Sequence, residues 1–157
     1  MTKICVFSDS HGDCTRMLRA VELEQPDMIL HLGDGAGDLE RLRQAFPALA
    51  YHNVQGNCDY RPKLPRTLRL QVEGITIFAA HGHEHQVKLD PDLTRFRYAA
   101  LEAGADLALY GHTHRSFLGV FQGMTILNPG SIGLSPRPSY GVITVEGSRF
   151  TPELRQG

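Results

Sequence analysis

Five short segments gather metal-ligating side chains at close spacing in this sequence: Asp9-Ser10-His11, Gly33-Asp34, Gly56-Asn57-Cys58-Asp59, His81-Gly82-His83 and Gly111-His112-Thr113-His114. Carboxylate, amide and imidazole donors suit first-row divalent ions, manganese first among them, then iron, zinc, cobalt or nickel, whereas nothing supports a thiolate site. Asp9 with His11, and His112 with His114, are i, i+2 pairs whose side chains should share one side of an extended backbone. Asp34 is the natural bridging carboxylate between two ions, which about 3.5 to 4 Å apart hold and activate a hydroxide for in-line attack on phosphorus. Two divalent cations set against Asp9 and Asp34 leave a positive centre, and an anionic phosphate ester is the fitting substrate.

A lone histidine is more often a surface or packing residue than a ligand, so the weight rests on the joint pattern, which selects His11, His81, His112 and His114. His31 and His52 fall inside expected strands and are read as packing or backbone-bonding residues. His83 and His85 stay open between substrate contact and solvated loop, and Asp59 between orienting a neighbour and a surface turn. Arg61, Lys63, Arg66, Arg115 and Arg137 follow the motifs and are read, for the most part, as solvated surface cations.

The elements that must position these groups are legible from apolar periodicity. Ile4 to Phe7 is a continuous apolar run, expected as a strand buried on both faces. Cys14, Met17, Leu18 and Val21 then mark a helical face behind Asp13 as N-cap. A strand near Met28 to Leu32, a helix through Leu39, Leu42 and Phe46, and a strand over Ala48 to Val54 complete a β-α-β-α-β opening. Thr67 to Val72 and Ile75 to Ala80 read as a hairpin about Glu73-Gly74. Asp90-Pro91 reads as the cap and first turn of a helix closed by Gly104, with a strand over Leu107 to Tyr110 after it. Phe117 to Phe121, Met124 to Leu127, Tyr140 to Val145 and Arg149 to Thr151 should be mostly antiparallel. Each chemistry-bearing segment thus lies immediately after an expected strand, where ligands bind in open α/β sheets.

Composition bounds the reading. The 157 residues fit a single domain over 1–157. A formal net charge of −1 gives no basic field for nucleic acid. Cys5, Cys14 and Cys58 form no paired motif, Cys5 and Cys14 read as buried small hydrophobes, and a reduced cytoplasmic setting fits. No apolar run approaches a signal peptide or membrane span, and a homo-oligomer stays open.

With these residues assembled, the chain resembles the calcineurin-like metallophosphoesterases, matching DxH, GD, GN, HGH and GHTH in order from residue 9 to residue 114, and Asn128-Pro129-Gly130-Ser131 resembles a loop of the small bacterial and archaeal phosphodiesterase branch. The resemblance implies a four-layer α/β/β/α sandwich with mixed sheets. It also implies that Asp9, His11, Asp34 and His114 hold one metal, and Asp34, Asn57, His81 and His112 the other. Many members carry a histidine, thought to protonate the leaving group, where this chain has Cys58. A thiol with an ordinary pKa of about 8.5 is a poor proton donor near neutrality, so good leaving groups should be favoured. Cysteine here also resembles the small phosphodiesterase branch, which ranks small phosphodiesters above phosphomonoesters and nucleotide pyrophosphates as substrates. Another class of function is a metal-binding interaction scaffold, as in a retromer subunit of the same fold that lost part of this constellation; here every ligand position is filled.

Overall fold

Ile4 and Val6 point to one side of the first strand, and Cys5 and Phe7 to the other, all with no exposed surface. An alternating strand buried on both faces needs a layer on each side, and the rest of the fold supplies them. The computed structural model describes residues 1–59, 64–133 and 135–157. In chain order the elements are β1 (Thr2–Phe7), α1 (Thr15–Glu24), β2 (Met28–His31), α2 (Ala36–Ala45), β3 (Ala50–Asn53), β4 (Thr67–Val72), β5 (Ile75–Ala80), α3 (Thr94–Glu102), β6 (Leu107–Leu109), β7 (Phe117–Phe121), β8 (Met124–Asn128), β9 (Ser139–Glu146) and β10 (Arg149–Gln156).

They form two five-stranded mixed sheets, ordered β10-β9-β1-β2-β3 and β4-β5-β6-β8-β7. In the first, β1, β2 and β3 are parallel and β9 runs against β1. In the second, β5, β6 and β8 are parallel, flanked by antiparallel β4 and β7. Ile4, Val6, Ile77, Leu107, Leu109 and Ile143 meet between the sheets in the central core. Cys5, Phe7 and Ile29 face outward against Met17 and Val21 of α1 and Leu39 and Leu42 of α2. Phe78, Ala108 and Ile126 face outward against Phe96 and Ala100 of α3. The layers are therefore α/β/β/α, as the sequence resemblance implied, and among the described residues no helix is long and apolar enough to cross a membrane.

Helix starts differ from the sequence reading. α3 begins at Thr94, not beside Pro91, because Leu93 takes left-handed backbone (φ 57°) and turns its side chain into the outer core. Asp90 still serves this start from a distance, accepting hydrogen bonds from the Asp92 and Thr94 N–H groups (3.1 and 2.9 Å). Likewise Cys14, not Asp13, is the N-cap of α1, and the Asp13 carboxylate accepts from Thr15 N–H at 3.0 Å. The third strand covers only Ala50–Asn53, shorter than the apolar pattern suggests.

Glu24 at the end of α1 is 8% exposed and ties that helix to the first sheet. Its carboxylate accepts the Tyr140 hydroxyl at 2.8 Å and lies 3.2 Å from Lys3 Nζ and 3.3 Å from Arg155 Nε. Burial alone raises its pKa, but Tyr140, Lys3 and Arg155 outweigh burial and hold it below the ordinary carboxylate value. A carboxyl depressed in the folded state stabilises the fold above its unfolded pKa, and that contribution disappears as pH falls through the folded pKa. Glu24→Gln should therefore cost about 2 kcal/mol at neutral pH. In urea melts the difference from wild type should shrink steadily in acid; a gap independent of pH would contradict this.

Candidate metal centre

The seven side chains singled out by residue type come from loops at the carboxyl ends of β1, β2, β3, β5 and β6, and the backbone stitches these loops together. The Asp9 N–H donates to the Gly33 carbonyl and the His11 N–H to the Asp34 carbonyl, both at 3.0 Å, and the Gly111 N–H donates to the His81 carbonyl at 2.9 Å. Asp9 and His11 converge in one cluster, whereas His112 and His114 turn to different ones, and neither pair lies on extended backbone. Asp9, His11, Asp34, His112 and His114 all have positive φ, between 46° and 69°. Left-handed backbone costs a non-glycine residue about 1 to 3 kcal/mol, and such strain persists only where surrounding bonds fix it. The reversal of chain direction, rather than the strand pleat, is what aims each pair inward.

At the centre, His81 Nδ1 donates to the Leu32 carbonyl at 2.8 Å, which turns Nε2 toward three acceptor atoms. These are Asn57 Oδ1 at 3.0 Å, His112 Nδ1 at 3.2 Å and Asp34 Oδ2 at 3.3 Å. Acceptors crowded round one nitrogen attract positive charge. Burial lowers the His81 pKa, yet the Asp34 hydrogen bond and the charges of Asp9 and Asp34 outweigh it and raise the value above ordinary histidine. His112 goes the other way, pushed down to about 4 by burial, by His81 and by Lys88, and so presents a neutral imidazole.

Two triads result. The ligand atoms of Asp9, His11 and His114 all lie within 4.8 Å of one another, as do those of Asp34, His81 and His112. Asp9 Oδ1 is 3.2 Å from His114 Nε2 and 3.5 Å from His11 Nε2. Asp34 Oδ2 spans the triads, 3.6 Å from His11 Nε2 and 3.3 Å from His81 Nε2. Asp9 Oδ1 and His11 Nε2 are buried with no hydrogen-bond partner. Buried carboxylates rarely go without a partner, and among the described residues neither Asp9 nor Asp34 pairs with a lysine or arginine. Converging orphaned donors of this kind fit divalent cations. Asn57 is exposed with its amide oxygen turned toward the second triad. Cys58 Sγ makes a third grouping with His11 and Asp34. Burial first, then Asp34, pushes its thiol pKa up.

The model of the calcineurin-like phosphoesterase superfamily domain matches residues 2–148. This chain belongs to that superfamily. A probable metallophosphoesterase of Bacillus subtilis is 35% identical over 156 residues, covering 94% of this chain and 87% of that protein. A phosphodiesterase of Methanocaldococcus jannaschii is 23% identical over 168 residues, covering 94% and 96%. Vps29 of Chaetomium thermophilum, 19% identical, superposes with a TM-score of 0.82 over 99% of this chain and 89% of that one, a likeness of fold.

Around the superfamily's motif residues lies a supporting shell that residue types alone did not reveal. The Asp59 carboxylate accepts four backbone N–H groups: Asp34 (2.8 Å) and Gly56 (2.9 Å) on Oδ2, Gly35 (3.1 Å) and Ala36 (3.2 Å) on Oδ1. It thereby caps α2, whose own N-cap Gly35 has no side chain, and resolves the open reading of Asp59 in favour of orienting its neighbours. Gly56 is required by contact: a Cβ there would run into the Asp34 carboxylate. The buried His31 accepts from Gly33 N–H on Nδ1 (3.1 Å), so its Nε2 proton points to Ser10 Oγ (3.1 Å), which donates in turn to Asp38 Oδ2 (2.7 Å). Asp38 was missed because an acid in the first turn of a helix ordinarily reads as a dipole partner. Ser131 Oγ donates to the Asp9 carbonyl (2.8 Å) and Asn128 Nδ2 to Thr113 Oγ1 (3.0 Å), so the end of β8 and the loop after it buttress both ligand pairs.

The remaining candidates separate clearly. His83 lies at the rim, its ring 5.5 Å from that of His81, whereas His85 packs edge-on against Phe78 and Phe96. His52 is a partly buried residue of β3. Arg66 pairs with Glu84 at 3.0 Å. Arg115 and Arg137 flank His114 in a surface groove. Arg61 and Lys63 lie outside the described residues. Because Asp59 holds the peptide that carries Asp34, Asp59→Ala should weaken binding of divalent manganese by about ten- to a hundredfold. Calorimetric titration checks this, and unchanged affinity would show that Asp59 does no more than terminate a turn.

Proposed function

We propose that this chain is a dinuclear metal-dependent phosphodiesterase. In this reading Asp9, His11, Asp34 and His114 hold one divalent ion, and Asp34, Asn57, His81 and His112 hold the other, with manganese first among the candidate metals. The observation that carries it is the place of Asp34 Oδ2, within 3.6 Å of His11 Nε2 and 3.3 Å of His81 Nε2, one from each triad. When bound, the ions supply Lewis acidity toward the phosphoryl oxygens and lower the pKa of water. The chain's own contribution is a ligand set with only two carboxylates, Asp9 and Asp34, to which the imidazoles and the Asn57 amide add no negative charge. The reaction adds water across one phosphorus–oxygen ester bond, oxygen to phosphorus and proton to the departing alcohol.

Two features favour diesters. Two openings border the centre, one lined by His11, Asp34 and Cys58 and the other by His114, Arg115 and Arg137, room for two ester arms. The Methanocaldococcus jannaschii relative is named a phosphodiesterase. The filled ligand set weighs against a role as scaffold alone, and a cytoplasmic setting accords with the free cysteines.

Manganese-loaded protein should hydrolyse bis(p-nitrophenyl) phosphate faster than p-nitrophenyl phosphate and lose activity on chelation. Asp34→Ala and Asn57→Ala should each reduce kcat/KM at least about a hundredfold. Activity equal to wild type in both variants would remove the enzymatic reading. Since the Cys58 thiol is a weak proton donor, kcat across a series of aryl and alkyl diesters should fall steeply as leaving-group pKa rises; a flat series would mean that an efficient general acid operates.

A further inference from the structure

Beside the metal centre runs a second groove that neither the ligand set nor the motifs explain. It has a volume of 620 Å³, in the range that encloses a small organic ligand rather than a bare phosphate, and it adjoins the opening at His114 through shared Arg115 and Ser116. Thr113, the residue between two of the candidate ligands, forms part of its wall.

The lining is of two kinds. Leu93 and Tyr110 are buried beneath it, and Phe117, 43% exposed, joins them in the lining. Lys88 and Arg115 are exposed cations on the same wall, and neither meets a carboxylate among the described residues. An apolar floor with a partly exposed aromatic ring accepts a flat, hydrophobic group. Unpaired lysine and arginine at the mouth accept an anion, and guanidinium suits phosphate oxygens in particular. A simple alkyl or aryl ester arm would use the floor and leave both cations idle.

The geometry points to a nucleotide arm: one ester arm of the scissile phosphodiester is a nucleoside that carries a further phosphate, its base on the Leu93–Tyr110–Phe117 floor and its terminal phosphate on Lys88 and Arg115. This rests on the phosphodiesterase reading above and narrows its substrate to small dinucleotides bearing a terminal phosphate. Arg115, which the sequence reads as one solvated cation among several, becomes a specificity residue.

The test compares the thymidine dinucleotide TpT with its terminally phosphorylated form pTpT, on manganese-loaded wild type and on the exposed double variant Lys88→Ala/Arg115→Ala. Wild type should prefer pTpT by about tenfold in kcat/KM, carried mainly by KM. The double variant should bring that ratio close to one. A wild-type ratio near one, or a ratio unchanged by the double substitution, overturns the assignment. Thymidine bisphosphate titrated into both proteins without metal supplies a readout independent of turnover: binding should weaken about tenfold in the variant, and equal binding overturns the assignment. Failure of wild type to hydrolyse any diester would fall on the phosphodiesterase reading, while this titration would still judge the groove.

Discussion

Asp9 and Asp34 are fully or almost fully buried in one small volume, 0% and 4% exposed, and no lysine or arginine neutralises them among the described residues. Desolvated carboxylates without a countercharge are costly, and the imidazoles around them offer lone pairs as readily as protons. Divalent cations would resolve this conflict by giving every converging acceptor the same positive partner. The fold around the pocket serves to hold the conflict in place: two sheets present their strand ends to one point, and each triad draws side chains from more than one loop.

Holding it requires bonds that are not themselves part of the centre. Five ligand candidates take left-handed backbone, and each strained turn is fixed by a neighbouring segment. Asp59 secures the Asp34 turn through four N–H groups, and Ser131 takes the Asp9 carbonyl. His31, Ser10 and Asp38 form a buried chain that joins the first loop to α2. His81 is oriented by the Leu32 carbonyl, which leaves one ring nitrogen for the pocket. The aim of the ligands is thus a property of backbone and supporting acids, while the chemistry is a property of residue type.

That division explains what could be read from the amino-acid sequence. Strand positions were visible because β1 carries the apolar run Ile4 to Phe7 and β5 is apolar apart from Thr76, and the ligand residues because carboxylates, an amide and imidazoles follow the strands. The backbone at Asp9 and His112 was not visible, since nothing in a non-glycine residue announces positive φ; the extended-strand argument gave the right convergence for Asp9 and His11, for the wrong local reason, and the wrong one for His112 and His114, which divide between the triads. The start of α3 was misplaced because the Asp90-Pro91 pattern fits a helix entrance, whereas burial of Leu93 overrides it. Asp38 and Asp59 act through segments distant in sequence, Asp59 on backbone groups and Asp38 on the Ser10 hydroxyl and the Gly12 N–H, and such pairings have no sequence signature.

The claim on which all of this turns is that two cations share Asp34. Crystals of manganese-loaded protein, with anomalous differences collected at the manganese edge, address it directly. The account expects two peaks about 4 Å apart on either side of the Asp34 carboxylate, one beside Asp9 and His114 and the other beside His81 and His112. A single peak, or peaks away from Asp34, would contradict it.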